Sequence, residues 1–165
     1  MGSFAEAMQD YRRQLEKGTI QQAYGGLMKY MLDLKTFLKN KYPDHSISGS
    51  LYQGYMDMTY FSFTPASLER RKLKTAIVFI YEAFRFEVWL AGYNKQIQTR
   101  YWGFFKESGW NKYRLVPTVK GADSILESVL VEEPDFGDLD ALTRQIEKGA
   151  LKFIKDVEAY LSTHE

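Results

Sequence analysis

The sequence predicts an α+β fold in which an antiparallel sheet of about four to six strands packs against N-terminal and C-terminal helices. Apolar residues recur at helical spacing at both ends of the chain, and the middle holds short segments rich in aromatic and β-branched residues. This order of helices, strands and helices is typical of α+β architecture rather than of alternating βα units. With 165 residues, the chain is expected to form a single globular domain over residues 1–165.

Two helices are predicted at the N-terminus. The first covers residues 4–15 and ends at Gly18, because glycine readily leaves the helical conformation. The second begins at Thr19, a favourable N-cap, and ends before Pro43. Its Gly25-Gly26 pair disfavours a helix by about 1 kcal/mol per glycine, so we expect the pair to permit a close packing contact. One apolar stripe runs along this helix through Ile20, Ala23, Leu27, Met31, Leu34 and Leu38.

The aromatic segments in the middle of the chain predict the first four strands. Residues 46–63 have strand composition with breaks at Gly49 and Gly54, which indicates two strands joined by a tight turn or bulge. Residues 74–81 and 84–91 form the next two strands around a two-residue turn. A short polar connection separates the two pairs.

The second half of the chain predicts a helix, further strands and a long final helix. Residues 97–109 have helical periodicity, and residues 113–119 form a strand. Residues 122–131 fit either a strand or a short helix. Asp138 can cap the last helix. The apolar face of that helix consists of Leu139, Leu142, Ile146, Phe153, Val157 and Leu161.

Composition and charge exclude several classes of function. Lys and Arg number 22 against 21 Asp and Glu, so the net charge of +1 disfavours nucleic acid as a partner. There is no cysteine, which removes disulfides and thiolate metal sites and suits a cytoplasmic protein. No stretch approaches the roughly 18 apolar residues of a membrane-spanning helix. With two histidines and no nucleotide-binding fingerprint, we expect neither a metal nor a cofactor.

Charged residues embedded in the aromatic strands mark the candidate site. Strand alternation puts Arg85, Glu87 and Trp89 on one face. The two-residue turn places Ile80 opposite Arg85 and Val78 opposite Glu87, so this ion pair lies on a half-apolar surface. A solvated surface pair would contribute less than about 1 kcal/mol. The other interpretation is a concave binding surface with Trp89 as an apolar wall.

The second strand of the 46–63 segment extends this candidate site. Tyr55 and Asp57 share one of its faces, and an aspartate in mid-strand is expected to bond to a neighbour such as Arg85. No residue is predicted to be catalytic, and the pattern favours a non-enzymatic domain that binds a small ligand, a peptide or a protein partner. The candidate ligand-binding residues are Tyr55, Asp57, Arg85, Glu87, Trp89 and Tyr93.

Two alternatives stay open at this point. A small enzyme would use Asp57 and Glu87 as its acid and base, and one of the two carboxyl groups should then have a raised pKa. Residues 100–114 interleave basic and aromatic side chains, as single-stranded nucleic-acid binders do. In the same segment, Trp102 and Trp110 could instead form an apolar patch, which leaves a homodimer open.

Four stretches carry a resemblance to a known family. They are EKGTIQQAY at residues 16–24, GYMDMTYF at 54–61, FEVWLAGYNK at 86–95 and PDF followed by DLD at 134–140. With these stretches the chain resembles a family of uncharacterised bacterial single-domain proteins, a domain of unknown function. The resemblance implies a cytosolic bacterial protein and brings no activity, cofactor or functional residue.

Overall fold

The computed structural model describes residues 2–165. The chain divides into two compact units between Leu34 and Lys35. Each unit is described separately below. In the described part of the chain, no helix is long and apolar enough to cross a membrane.

The first unit contains helix α1 and the beginning of helix α2. α1 spans Phe4–Glu16 and α2 spans Thr19–Lys41, which confirms both predicted helices. Ser3 caps α1 through a capping box, in which its hydroxyl accepts from the Glu6 amide while the Glu6 carboxylate accepts from the Ser3 amide. Gly18 has a φ of +78°, and this left-handed conformation allows the turn between the two helices. No residue of α1 is buried.

The glycine pair of α2 does not make the close contact that the sequence predicted. A Cβ atom added at Gly25 or Gly26 would meet no atom within 4 Å in the described part of the chain. Both glycines are exposed, so packing at these positions does not offset the stability that two glycines remove from the helix.

The second unit is built on an antiparallel sheet, which confirms the predicted α+β class. Within residues 35–165 its six strands are β1 Ser46–Ile47, β2 Met58–Thr64, β3 Leu73–Ile80, β4 Arg85–Gly92, β5 Arg114–Leu115 and β6 Leu126–Val131. Their order across the sheet is β1-β2-β3-β4-β6-β5, and every pairing is antiparallel.

The register between β3 and β4 is the predicted one. Ile80 pairs with Arg85, and Val78 pairs with Glu87. The connecting turn contains Phe84, whose φ of +54° is left-handed. This conformation takes Phe84 out of the strand, so the ring that was expected on the core face of β4 is exposed.

Two predicted strands are much shorter than expected, and one ambiguity is resolved. The first strand of the 46–63 segment is only β1, because Gly54 (φ +79°) and Met56 (φ +64°) turn the chain before β2 begins. The strand predicted at residues 113–119 is reduced to β5. The helix alternative for residues 122–131 is wrong, since β6 pairs with both β4 and β5. A short helix, α3 (Ala66–Arg70), replaces the predicted polar connection.

Two further helices complete the second unit. α4 spans Lys95–Ser108 and is followed by Gly109 in the left-handed conformation, while α5 spans Leu139–His164 after the predicted Asp138 cap. α5 contacts β4 and β6. One face of the sheet is buried through Phe61, Phe63, Ile77, Phe79, Phe86, Val88 and Leu90. The buried stripe of α5 includes Leu142, Ile146, Phe153, Ile154, Val157 and Leu161.

Candidate ligand site on the open face of the sheet

The second face of the sheet, called the open face below, carries mixed polar and apolar side chains. Strand alternation assigns to it Tyr60, Ser62, Lys74, Ala76, Val78, Arg85, Glu87, Trp89 and Glu127. The strand pairs align Ser62, Ala76, Trp89 and Glu127 in one row from β2 to β6. Neighbouring strands lie about 4.8 Å apart, so this row is about 14 Å long. A ligand of small-molecule or short-peptide size matches that span.

A buried carboxylate organises the centre of this face. Glu87 is only 4% exposed, and both of its oxygens are occupied. Oε2 accepts from Arg85 Nε at 2.7 Å, and Oε1 accepts from Trp89 Nε1 at 2.8 Å. Arg85 also pairs with Glu132 at 2.9 Å. The hydrogen bond that Arg85 donates to Glu87 is the main cause of the raised pKa of Arg85. Glu87 is therefore a buried carboxylate that fixes the indole, and its partner Arg85 is half-buried rather than fully solvated.

The segment between β1 and β2, residues 48–57, forms a loop along one side of the open face. The Ser62 amide donates to Ser48 Oγ at 3.0 Å, and the Ser48 amide donates to the Ser62 carbonyl at 3.3 Å. Tyr52 and Tyr60 exchange two backbone hydrogen bonds of 2.9 Å, and their rings lie 4.8 Å apart. Backbone hydrogen bonds thus attach this 48–57 loop to β2 at two points.

Asp57 holds the end of the same loop. Its Oδ1 accepts from the amides of Tyr55 and Met58, each at 2.8 Å, and these two bonds lower the pKa of Asp57. The Thr59 hydroxyl donates to the Gln53 carbonyl at 2.7 Å. The role of Asp57 is to close a turn, as short acidic side chains commonly do.

A cavity of about 540 Å³ lies between the 48–57 loop and the open face. Leu51, Gln53 and Gly54 form part of its lining. Its other lining residues are hydroxyl-bearing side chains and one lysine: Ser48, Ser50, Tyr52, Tyr55, Tyr60, Ser62 and Lys74. This volume is within the range of small-molecule sites, and the lining combines ring faces with convergent polar groups.

Lys74 supplies the positive charge of this cavity. Its side chain is half-buried on β3, and within residues 2–165 it makes no ion pair. Lysines that are paired elsewhere in the chain, such as Lys152 with Asp156 at 2.9 Å, are on the exposed surface. A half-buried lysine without a carboxylate partner leaves its positive charge free to attract an anion in the cavity.

A second cavity of about 290 Å³ lies beyond Trp89. It is lined by Trp89, Glu127 and residues 116–124. Burial is the main cause of the raised pKa of Tyr60, and electrostatic interactions with Tyr52 and Asp123 add to it. Ser62 lines the first cavity, Trp89 and Glu127 line the second, and the three share one row of the sheet, so the two cavities flank the same central strip of the open face.

The structure places three of the six predicted ligand-binding residues on this face and a fourth, Tyr55, in the 48–57 loop beside it. Arg85, Glu87 and Trp89 form one hydrogen-bonded group, and Trp89 lines the second cavity. Tyr55 lines the first cavity and is 91% exposed. These positions are compatible with ligand contact at Tyr55 and Trp89.

The other two predicted residues have different surroundings. The expected bond between Asp57 and Arg85 is wrong, because Asp57 precedes β2 and bonds to backbone amides instead. Tyr93 follows β4, where its amide donates to the Lys72 carbonyl at 3.0 Å. Burial and the charge of Glu69 in α3 raise the pKa of Tyr93. Tyr93 is 51% exposed and lies outside the hydrogen-bonded group of Arg85, Glu87 and Trp89.

The geometry does not supply the acid and base of the enzyme alternative. Asp57 is exposed and its pKa is lowered, which is the opposite of the shift expected for a general acid. Glu87 is occupied by Arg85 and Trp89 on both oxygens. Among residues 2–165, no group of three or more His, Asp or Glu side chains could hold a metal ion.

Sequence reasoning missed Lys74, Tyr60 and Ser62 as site residues. A signal was present, since Lys74 alternates with the buried Leu73 and Thr75 and so shares a face with Glu87. The closure of the cavity by the 48–57 loop had no such signal. It depends on two left-handed residues that interrupt the predicted strand.

The aromatic residues of the 100–114 segment make contacts within the chain. Trp110 stacks on Tyr160 of α5 with ring centroids 4.3 Å apart. Trp102 Nε1 donates to the Val116 carbonyl at 2.8 Å. Both indoles are half-buried, so packing against α5 and residue 116 accounts for them without a partner.

Comparison with protein families identifies the chain. Residues 4–161 match the family described as Domain of unknown function (DUF7000), and the chain belongs to this family. No curated protein and no solved structure matches the chain.

Proposed function

We propose that this protein is a non-enzymatic binding domain that holds a small organic anion between the 48–57 loop and the open face. The observation that supports the proposal is the unpaired, half-buried Lys74 in a cavity of about 540 Å³ lined by hydroxyl groups. The cysteine-free composition favours the cytoplasm as the compartment.

The chemistry of the lining indicates which groups of the ligand are recognised. The ammonium of Lys74 and hydroxyl donors such as Ser62 can together bind a carboxylate or a phosphate through charge-assisted hydrogen bonds. The rings of Tyr52 and Tyr60 offer an apolar wall for a planar body. Tyr55, almost fully exposed at the rim, is available to pack on the same body.

The second cavity extends the proposed site for longer ligands. Trp89 and Ser62 lie in one row of the sheet with Ala76 between them. A short acidic peptide anchored at Lys74 would reach the half-buried indole by lying over the side chains that border Ala76, which is itself nearly buried. In this proposal Trp89 contacts the ligand, while Arg85 and Glu87 position Trp89.

A thermal-shift experiment with matched ligand pairs tests the proposal. Each anion is compared with its neutral counterpart: benzoate with benzyl alcohol, phenyl phosphate with phenol, and nucleoside monophosphates with nucleosides. An anion at a hundredfold excess over its Kd adds about 2.7 kcal/mol. For a chain of this length that corresponds to an increase in Tm of about 5–10 °C.

Two lysine variants distinguish cavity binding from general charge attraction. Lys74→Met keeps most of the side-chain length and should abolish the shift by the anions. Lys148→Met removes an exposed lysine of α5 outside the cavity and should leave the shift unchanged. Equal shifts by the anionic and neutral members of each pair, or an unchanged response in Lys74→Met, would contradict the proposal.

A further inference from the structure

Helix α1 presents an apolar stripe that nothing in the described chain buries. Phe4, Met8, Tyr11 and Leu15 follow a spacing of four, three and four residues, so they lie along one side of the helix. Phe4 is 81%, Met8 47% and Tyr11 44% exposed. The helix is amphipathic, and no residue within it is buried.

The length of α1 makes a packing partner necessary. An isolated helix of 13 residues is marginal in water, because nucleation is costly and few hydrogen bonds follow it. The Ser3 capping box and the Arg12–Glu16 and Asp10–Arg13 pairs support the helix locally. Both ion pairs are largely exposed and contribute little. The apolar stripe is the remaining source of stability, and it requires a second surface.

We propose that this surface is the α1 helix of a second copy of the chain, packed antiparallel to the first. The charges of α1 support this choice of partner. Its N-terminal half carries two acidic residues, Glu6 and Asp10. Its C-terminal half and the cap residue Lys17 that follows it carry an excess of two positive charges, from Arg12, Arg13 and Lys17 against Glu16. Antiparallel packing sets each acidic half beside a basic half, whereas parallel packing sets like charges together.

The same arrangement aligns the apolar stripe with itself. With the two apolar stripes overlapping fully, Phe4 faces Leu15 of the other copy and Met8 faces its Tyr11, so every apolar residue has an apolar partner. A two-fold axis relates the copies, as in most homodimers. α1 is about 20 Å long, which gives an interface at the small end of the range. The dimer should therefore form reversibly with protein concentration.

Sedimentation equilibrium of the full chain over a concentration series tests the dimer. Met8→Lys places a charge in the stripe, and Gln9→Lys adds the same charge on the other side of the same helix. The first variant should raise the dimer Kd at least about tenfold, because burial of one methionine is worth that factor. The second should change it less than about threefold. Circular dichroism checks that both variants remain folded.

Cysteine cross-linking tests the orientation, since the chain has no cysteine of its own. Phe4→Cys and Leu15→Cys are prepared separately and mixed under mild oxidation. Antiparallel packing predicts a disulfide between the two variants and none within either alone, because like positions are about 16 Å apart along the axis. A disulfide requires Cα atoms within about 7 Å.

Three results would overturn the proposal. A monomer at all concentrations would show that α1 is covered in another way, by its own chain or by a different protein. Equal effects of Met8→Lys and Gln9→Lys would remove the stripe from the interface. Cross-links of Phe4→Cys to itself would show parallel packing.

Discussion

Replacement of Glu87 by glutamine should destabilise the fold far more than its small change in shape implies. The carboxylate is 4% exposed and accepts one bond from Arg85 Nε at 2.7 Å and one from Trp89 Nε1 at 2.8 Å. A glutamine has only one oxygen to accept a hydrogen bond. Its NH2 group would face either Arg85 Nε or Trp89 Nε1, and two donors cannot form a hydrogen bond with each other. One charge-assisted bond, worth about 1.5–3 kcal/mol, is lost while its donor stays partly buried. We expect Glu87→Gln to lower the free energy of unfolding by about 2–3 kcal/mol.

Urea unfolding followed by circular dichroism measures this loss, and Glu132→Gln is the matched control. Glu132 accepts from the same arginine at 2.9 Å, but its side chain is 66% exposed. Its replacement should cost less than about 1 kcal/mol. With an m-value of about 2 kcal/mol/M, the two variants should differ in midpoint by about 0.5–1 M urea.

A double-mutant cycle with Arg85→Met separates the pair from its surroundings. If Glu87 acts through Arg85, the Arg85→Met change should cost at least about 1 kcal/mol less in the Glu87→Gln background than alone. Equal losses for Glu87→Gln and Glu132→Gln, together with a coupling energy near zero, would refute the buried network.

Two further outcomes follow from the loop and from α5. Gly54→Ala should destabilise the protein by at least about 1–2 kcal/mol and weaken anion binding, because the φ of +79° is left-handed and the new Cβ would lie 1.9 Å from the Met58 carbonyl oxygen. Gly49→Ala in the same loop is the control, since its Cβ enters open space and its effect on stability should be nearly neutral. Similar melting temperatures for the two variants would contradict this expectation. Burial alone raises the pKa of Asp156, but hydrogen bonds from Tyr113 and two lysines outweigh it and lower the pKa to about 2. The folded pKa is below the ordinary 3.8, so this stability is present above pH 4 and is lost as the pH falls towards 2. Urea titrations across this range should show a smaller pH dependence for Asp156→Asn, and an unchanged dependence would count against the assignment.

Much of the fold could be predicted from patterns in the chain. Helices α1, α2, α4 and α5 follow from apolar periodicity and from end signals such as Gly18, Pro43 and the Asp138 cap, because these signals are local. The β3–β4 register could also be predicted, since a hairpin with a short turn fixes which residues face each other. The order of β6 and β5 beyond β4 required long-range pairing that no local pattern reports.

The candidate site was only partly predictable for a related reason. Alternation in β4 places Arg85, Glu87 and Trp89 on one face. The sequence pattern also puts Asp57 in a strand, whereas in the structure Asp57 lies in the turn just before β2. Met56 is a non-glycine residue with φ of +64°, and such a conformation has no reliable signature in the sequence. The 48–57 loop that builds the cavity follows from this turn, so alternation could place Lys74 on the face of Glu87 but could not reveal the cavity beside it.

The burial of the open face excludes a fully solvated ion pair of Arg85 and Glu87. On a sheet face exposed to water, Arg85 and Glu87 would be a weak solvated pair, and the apolar neighbours would be partly exposed. Instead, Val78 is fully buried, and Ala76 and Glu87 are nearly so. Because the chain itself covers this centre, we propose that a ligand binds in the two cavities that border it. On this face, the carboxylate of Glu87 is satisfied by its neighbours and the ammonium of Lys74 has no such partner. The asymmetry between these two charges favours an external anion.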